Sequence, residues 1–120
     1  MKQQILRLAG LGMTPYPLYL YLRVHKTVAI LFHVPTYLQT FTGSRGNVSV
    51  NTEGRNVSDA LAALWKAYPG LRDRVLTEQN EVRQHLNIFV GADNIRDLAG
   101  LATEVANGCE ITIVPNVSGG

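Results

Sequence analysis

Apolar and polar positions alternate, cluster and break along the chain in a way that marks out its elements. Thr27 to Val34 is dense in β-branched and apolar residues, and it stops at Pro35, which has no amide hydrogen to give a ladder; this predicts a first strand. Thr42-Gly43-Ser44-Arg45-Gly46 is a turn-rich connection. Asn47 to Thr52 then alternates, with Val48 and Val50 on one face, as a half-buried second strand does. The two strands read as a hairpin with a long loop. Val57, Leu61, Leu64, Trp65 and Tyr68 recur at helical spacing, and alanines at 60, 62, 63 and 67 raise the propensity. Asn56 is placed to cap this helix, Asp59 complements its dipole, and Pro69-Gly70 ends it. Leu71 to Glu78 adds a short helical turn, and a polar loop follows.

His85 to Val90 is a third strand, with Leu86, Ile88 and Val90 facing one way. Gly91 to Asn94 forms a turn, and Ile95 to Leu98 reads as a brief edge strand. Asn107-Gly108 is a strong turn signal before the last strand, Glu110 to Val114, which Pro115 closes. Only Asn116-Val117-Ser118-Gly119-Gly120 remains. The order β-β-α-β-β-β, with one strongly amphipathic helix, specifies an α+β fold. A mixed sheet with that main helix packed across one face buries both apolar surfaces, and this is the β-grasp (ubiquitin-like) arrangement. Residues 27–120 form that domain. Residues 1–26 are a leader, interrupted by Arg7, Pro15 and Pro17, that is either flexible or adds Tyr19 to Val24 as an extra edge strand.

Charge divides along the same boundary. The formal net charge is +2, yet Lys2, Arg7, Arg23 and Lys26 all fall in the leader with no acidic residue beside them. Residues 27–120 therefore hold seven basic against nine acidic side chains. No basic stripe suits phosphate neutralisation, so no nucleic-acid partner is expected. No run approaches the ~18 uninterrupted apolar residues of a membrane span, so no membrane association is expected either. A single cysteine, Cys109, excludes an intramolecular disulfide and fits a reducing cytoplasm. His25, His33 and His85 stand at unrelated spacings, which predicts no metal site. Cys109 has no local signature of an activated thiol, and no pair of carboxylates is spaced for acid–base work. The chain is expected to bind no cofactor and to have no catalytic residues of its own.

The carboxyl end is the exception. It runs in a few residues from a core strand into Val117-Ser118-Gly119-Gly120. Glycine has no Cβ, so two in succession make the narrowest thread a polypeptide can present to a tight channel.

Residues 28–120 resemble the MoaD/ThiS family of ubiquitin-like sulfur carriers. The resemblance rests on Leu86-Asn87-Ile88-Phe89-Val90, on Gly100-Leu101-Ala102-Thr103, on Asn107 through Pro115, and on the ending Val117-Ser118-Gly119-Gly120. Val34-Pro35-Thr36 with Leu38, then Thr42-Gly43, is similar to the first loop of the family's cysteine-biosynthesis branch. Gln39, Ser44 and Cys109 depart from that branch's usual residues. The resemblance implies a cycle. A MoeB/ThiF-like activating enzyme uses ATP to adenylylate the Gly120 carboxylate, and a sulfur donor replaces AMP to leave a thiocarboxylate. Val117, Ser118 and Gly119 thread the partner's active site. In the cysteine branch the acceptor is a pyridoxal-phosphate-dependent cysteine synthase, and a metalloprotease trims the product from Gly120. Molybdopterin synthesis, thiamine synthesis, tRNA thiolation and a ubiquitin-like protein modifier are the alternatives, since all use the same activated end.

Partner recognition is expected on the sheet face turned from the helix. If Ile30, Phe32 and Val34 face the helix, alternation sends Leu31 and His33 outward, with Asn87, Phe89, Thr112 and Val114 beside them. Leu31, Phe89 and Val114 would then form an apolar patch near the tail, with the leader as a rival occupant of the same face.

Overall fold

The computed structural model describes residues 27–116. The leader and Val117 to Gly120 lie outside them. The elements in order are β1 (Val28–His33), a 3-10 helix (Thr36–Phe41), β2 (Asn47–Thr52) and α1 (Val57–Ala67). A 3-10 turn (Pro69–Leu71), a one-turn helix α2 (Arg72–Val75), β3 (Leu86–Val90) and β4 (Asp93–Asn94) come next. Two further 3-10 turns (Ile95–Asp97 and Gly100–Ala102) lead to β5 (Cys109–Pro115).

The five strands form one mixed sheet in the order β2-β1-β5-β3-β4. β1 and β2 are an antiparallel hairpin with Ile30 opposite Val50 and Phe32 opposite Val48. β5 then enters the middle of the sheet, parallel to β1 (Phe32 beside Ile111) and antiparallel to β3 (Ile88 opposite Ile113). A parallel neighbour needs a long crossover, and α1 with its following turns supplies it. This is the β-grasp arrangement expected from the order of elements.

α1 starts where the sequence places it. The Asn56 side chain accepts the Asp59 amide at 2.8 Å, a cap worth about 1 kcal/mol. Val57, Ala60, Leu61 and Leu64 are its buried stripe. They meet Val28, Ile30 and Phe32 of β1, Val48 and Val50 of β2, Leu86 and Ile88 of β3, and Ile111 and Ile113 of β5 in one core. Trp65 and Tyr68 pack partly buried at its margin. Gly108, at φ +84°, takes the left-handed turn before β5, and its amide donates to the Ala29 carbonyl at 2.7 Å.

The edge strand expected at Ile95 to Leu98 is not there. Pairing is confined to Asp93–Asn94 against Phe89 and Val90, and Ile95–Asp97 is a 3-10 turn. The cause is local: the Asn94 side chain accepts the Arg96 amide at 3.0 Å, closing an Asx turn that competes with the ladder. Ile95 is buried as a plug under the sheet edge rather than as a strand residue.

Adjacent positions on β1 provide a test of the two faces. Ile30 is 1% exposed and Leu31 lies half-buried on the opposite side. Ile30→Ala should cost about 2–5 kcal/mol in a denaturant titration. Leu31→Ala should cost about 1 kcal/mol or less.

Candidate functional site

Two regions compete for the functional site: the outer sheet face and the root of the carboxyl tail. They prove to be continuous. β5 brings Glu110, Thr112 and Val114 to the outer face, while Ile111 and Ile113 point into the core. β1 contributes Leu31 and His33, β2 contributes Asn47, Ser49 and Asn51, and β3 contributes Asn87 and Phe89.

The apolar patch expected from Leu31, Phe89 and Val114 is divided. All three lie on the outer face, but Leu31 sits beside Glu110, on the far side of β5 from Phe89. Phe89 stands opposite Thr112, and Val114 stands opposite Asn87, which leaves Phe89 and Val114 as diagonal neighbours. Sequence alternation gave the correct face for each residue. It could not give the strand order, and the strand order inserts polar β5 side chains between them.

His33 occupies the polar centre. Its Nε2 lies 2.5 Å from Glu110 Oε1 and its Nδ1 lies 2.8 Å from Asn47 Oδ1. Both ring nitrogens thus have polar partners, and the imidazolium can donate to both. The hydrogen bond to Glu110, and after it the one to Asn47, holds the His33 pKa above the ordinary histidine value, against a small opposing effect of burial. His33 is therefore a surface imidazole whose protonated form is favoured by its polar partners.

The tail root lies at the other end of β5. Asn116 donates its backbone amide to the His85 carbonyl at 2.7 Å, the last rung between β5 and β3. Its side-chain Nδ2 donates to the Gln84 carbonyl at 2.6 Å, and its Oδ1 accepts from Asn87 Nδ2. Pro115 interrupts nothing, because its nitrogen points to the β1 side, where β1 pairing has ended at His33. Beside the root, Tyr37, Leu38, Asp73, Arg74, Arg83 and His85 line a shallow cleft. Val117, Ser118, Gly119 and Gly120 lie outside the described residues, so the structure gives the point from which the tail departs and not its course. Sequence reasoning placed Asn87 on the outer face but gave it, Asn94 and Asn116 no common role, because a lone asparagine carries no pattern until the register brings it to a partner.

The other candidates resolve simply. Cys109 is half-buried against the core, and burial raises its thiol pKa, with Glu110 adding to the rise against the Ala106 backbone hydrogen bond. It is therefore a poor nucleophile at neutral pH. Among the described residues no three His, Cys, Asp or Glu side chains gather to hold a metal ion. No described helix is long and apolar enough to cross a membrane.

The ThiS family profile matches residues 32–120. The sulfur carrier protein CysO of Mycobacterium tuberculosis is 34% identical over 89 residues, covering 72% of this chain and 94% of its own length. Small archaeal modifier protein 1 of Haloferax volcanii is 37% identical over 84 residues, covering 69% of this chain and 91% of its own. In the crystal structure of the Amycolatopsis orientalis BexX/CysO complex, a chain 28% identical superposes with a TM-score of 0.67, covering 76% of this chain and 99% of that one.

The His33 arrangement predicts a pH dependence. An NMR titration of the imidazole should give a midpoint above the usual ~6.5, and Glu110→Gln should bring it down. A raised folded-state pKa stabilises the fold fully below the unfolded value and loses that contribution as pH rises through the folded one. The wild type should accordingly exceed Glu110→Gln in stability at mildly acidic pH, by about 1 kcal/mol or less for so exposed a pair, and the difference should vanish in alkali.

Proposed function

The chain belongs to the ThiS family of sulfur carriers and ubiquitin-like modifiers, and we propose that it carries sulfur as a thiocarboxylate on Gly120. The observation that supports this reading most directly is the placement of β5. β5, central in the sheet order, runs against β3 to Pro115, and Asn116 then leads into Val117-Ser118-Gly119-Gly120. A rigid body with a short narrow tail suits insertion into another enzyme's active site, where positioning of the reacting atom is the main contribution.

On this reading the Gly120 carboxylate attacks the α-phosphate of ATP in a MoeB/ThiF-like activating enzyme. Pyrophosphate leaves and an acyl-adenylate forms. A sulfur donor then attacks the carbonyl carbon, AMP departs with the bonding electrons, and the thiocarboxylate remains. The chain is thus a covalent substrate rather than an enzyme. It holds no cofactor, ATP belongs to the activating partner, and the cycle runs in the cytoplasm.

Similarity to CysO favours cysteine biosynthesis, with a pyridoxal-phosphate-dependent cysteine synthase as acceptor and a metalloprotease releasing the product. The crystallised BexX/CysO complex illustrates a carrier of this kind bound to a partner. The partner face is the outer sheet surface with Leu31, His33, Phe89 and Val114, adjoining the tail. Similarity to small archaeal modifier protein 1 supports a second reading, in which the activated Gly120 forms isopeptide bonds with lysines.

Intact mass separates the two. Incubation with an activating enzyme, ATP and a sulfide source should replace one oxygen of the chain by sulfur, and deletion of Gly119 and Gly120 should abolish the change. Conjugates on a denaturing gel, without the sulfur product, would instead favour the modifier. Sulfur transfer that survived the deletion would refute the assignment to Gly120.

A further inference from the structure

Three asparagines cross the outer face on a diagonal that ends at the tail. Asn94 on β4, Asn87 on β3 and Asn116 after β5 are brought together by the antiparallel register, which pairs Phe89 with Asn94 and Asn87 with Val114. Their hydrogen bonds run in one direction. The Arg96 amide donates to Asn94 Oδ1 at 3.0 Å, and Asn94 Nδ2 donates to Asn87 Oδ1 at 3.2 Å. Asn87 Nδ2 donates to Asn116 Oδ1, and Asn116 Nδ2 donates to the Gln84 carbonyl. Every amide in the series donates and accepts, and such aligned chains polarise one another and strengthen.

The receiving segment is fixed as well. Arg96 directs its guanidinium to the Leu86 carbonyl at 2.8 Å and the Arg83 carbonyl at 3.3 Å. Leu86 and Pro115 form a pair without mutual ladder bonds, so the Leu86 carbonyl points toward β4, a strand too short to reach it. Asn116 then takes the two carbonyls between, Gln84 through its side chain and His85 through its backbone. Carbonyls 83 to 86 are all occupied, two by Arg96 and two by Asn116.

No packing need accounts for this. The core closes at Ile113 and Leu86, and Pro115 is exposed. An ordinary strand end at the surface would leave Asn116 to water. We propose that the Asn94–Asn87–Asn116 relay is a positioning device: it fixes Asn116, the residue that precedes the Val117 to Gly120 tail, and so raises the fraction of carriers whose Gly120 can enter the partner's active site. Asn116 and Asn87 act through the tail and are positioning residues, not catalytic ones. The inference rests on the carrier reading above. A root held in one orientation raises the fraction of carriers ready to enter the channel, and apparent affinity scales with that fraction.

The test uses the full chain with an activating enzyme of the MoeB/ThiF type, ATP and a sulfide source. Asn116→Ala removes the side-chain clamp, Asn87→Leu removes the donor to it, and Lys66→Gln, on the exposed side of α1 and so across the sheet from the partner face, is the control. Asn116→Ala and Asn87→Leu should raise the KM for the carrier by about three- to ten-fold with kcat unchanged. Their thermal midpoints should stay near that of the wild type, and Lys66→Gln should alter neither quantity. In Asn87→Leu, amide hydrogen exchange at Asn116 should also quicken. An unchanged KM in both variants, with the wild type converted normally, would overturn the positioning role. A fall in kcat with KM constant, or a KM change matched by loss of thermal stability, would do the same. If the wild type itself gained no sulfur, the carrier reading would fail first and the inference with it.

Discussion

The parallel pairing of β1 with β5, Phe32 beside Ile111 and His33 beside Thr112, is the contact on which the rest of the structure depends. It joins the start of the domain to its end, across most of the described chain. Because parallel strands cannot be closed by a short turn, everything between must form a crossover that returns to the same sheet, and the amphipathic stripe of α1 is the part that makes the return favourable. With β3 on the other side of β5, Ile111 and Thr112 are held on both edges, and beyond them β5 continues to Pro115 against β3 alone. The tail therefore follows a strand that is central in the sheet order and anchored to β3 at its end.

That placement explains why the outer face and Asn116 form one surface. β5 contributes alternate residues to the core and to solvent, so the strand that carries Ile111 and Ile113 inward also carries Glu110, Thr112 and Val114 outward. The outward series ends at Asn116. On the proposed reading, a partner engaging the tail meets a surface bearing the imidazole of His33 with Glu110, the diagonal pair Phe89 and Val114, and the amides of Asn87 and Asn94. This is a mosaic, with hydrogen-bonding groups between its apolar parts. Such a surface favours selectivity over raw burial, since an ill-matched partner would leave polar groups dehydrated and unpaired.

Much of this was legible in the sequence, and the reason differs by element. α1 announced itself through the 57–61–64 spacing and the Asn56 cap, both of which act within a few residues. The inward and outward assignment of β1, β3 and β5 followed from a period of two. The edge strand after Asn94 was misplaced because Ile95 looks like a strand residue, and the Asx turn that overrides it depends on a single side-chain hydrogen bond. The divided apolar patch was out of reach for another reason. Which strands are neighbours is a long-range property, and only the central position of β5 sets Glu110 and Thr112 between Leu31 and Phe89.

The same limit hid the asparagine relay, and it shows what kind of information a register carries. Residues 87, 94 and 116 have no common period and no shared composition. They meet because β3–β4 and β3–β5 are antiparallel with fixed pairings, and a slip of one residue in either would turn an amide to the wrong face. The pairings are in turn specified by the core, since Ile88 opposite Ile113 buries both side chains in the same layer. Hydrophobic burial on one face thus sets the hydrogen-bond geometry on the other. The packing that makes the domain stable is also what brings Asn94, Asn87 and Asn116 into one hydrogen-bonded series.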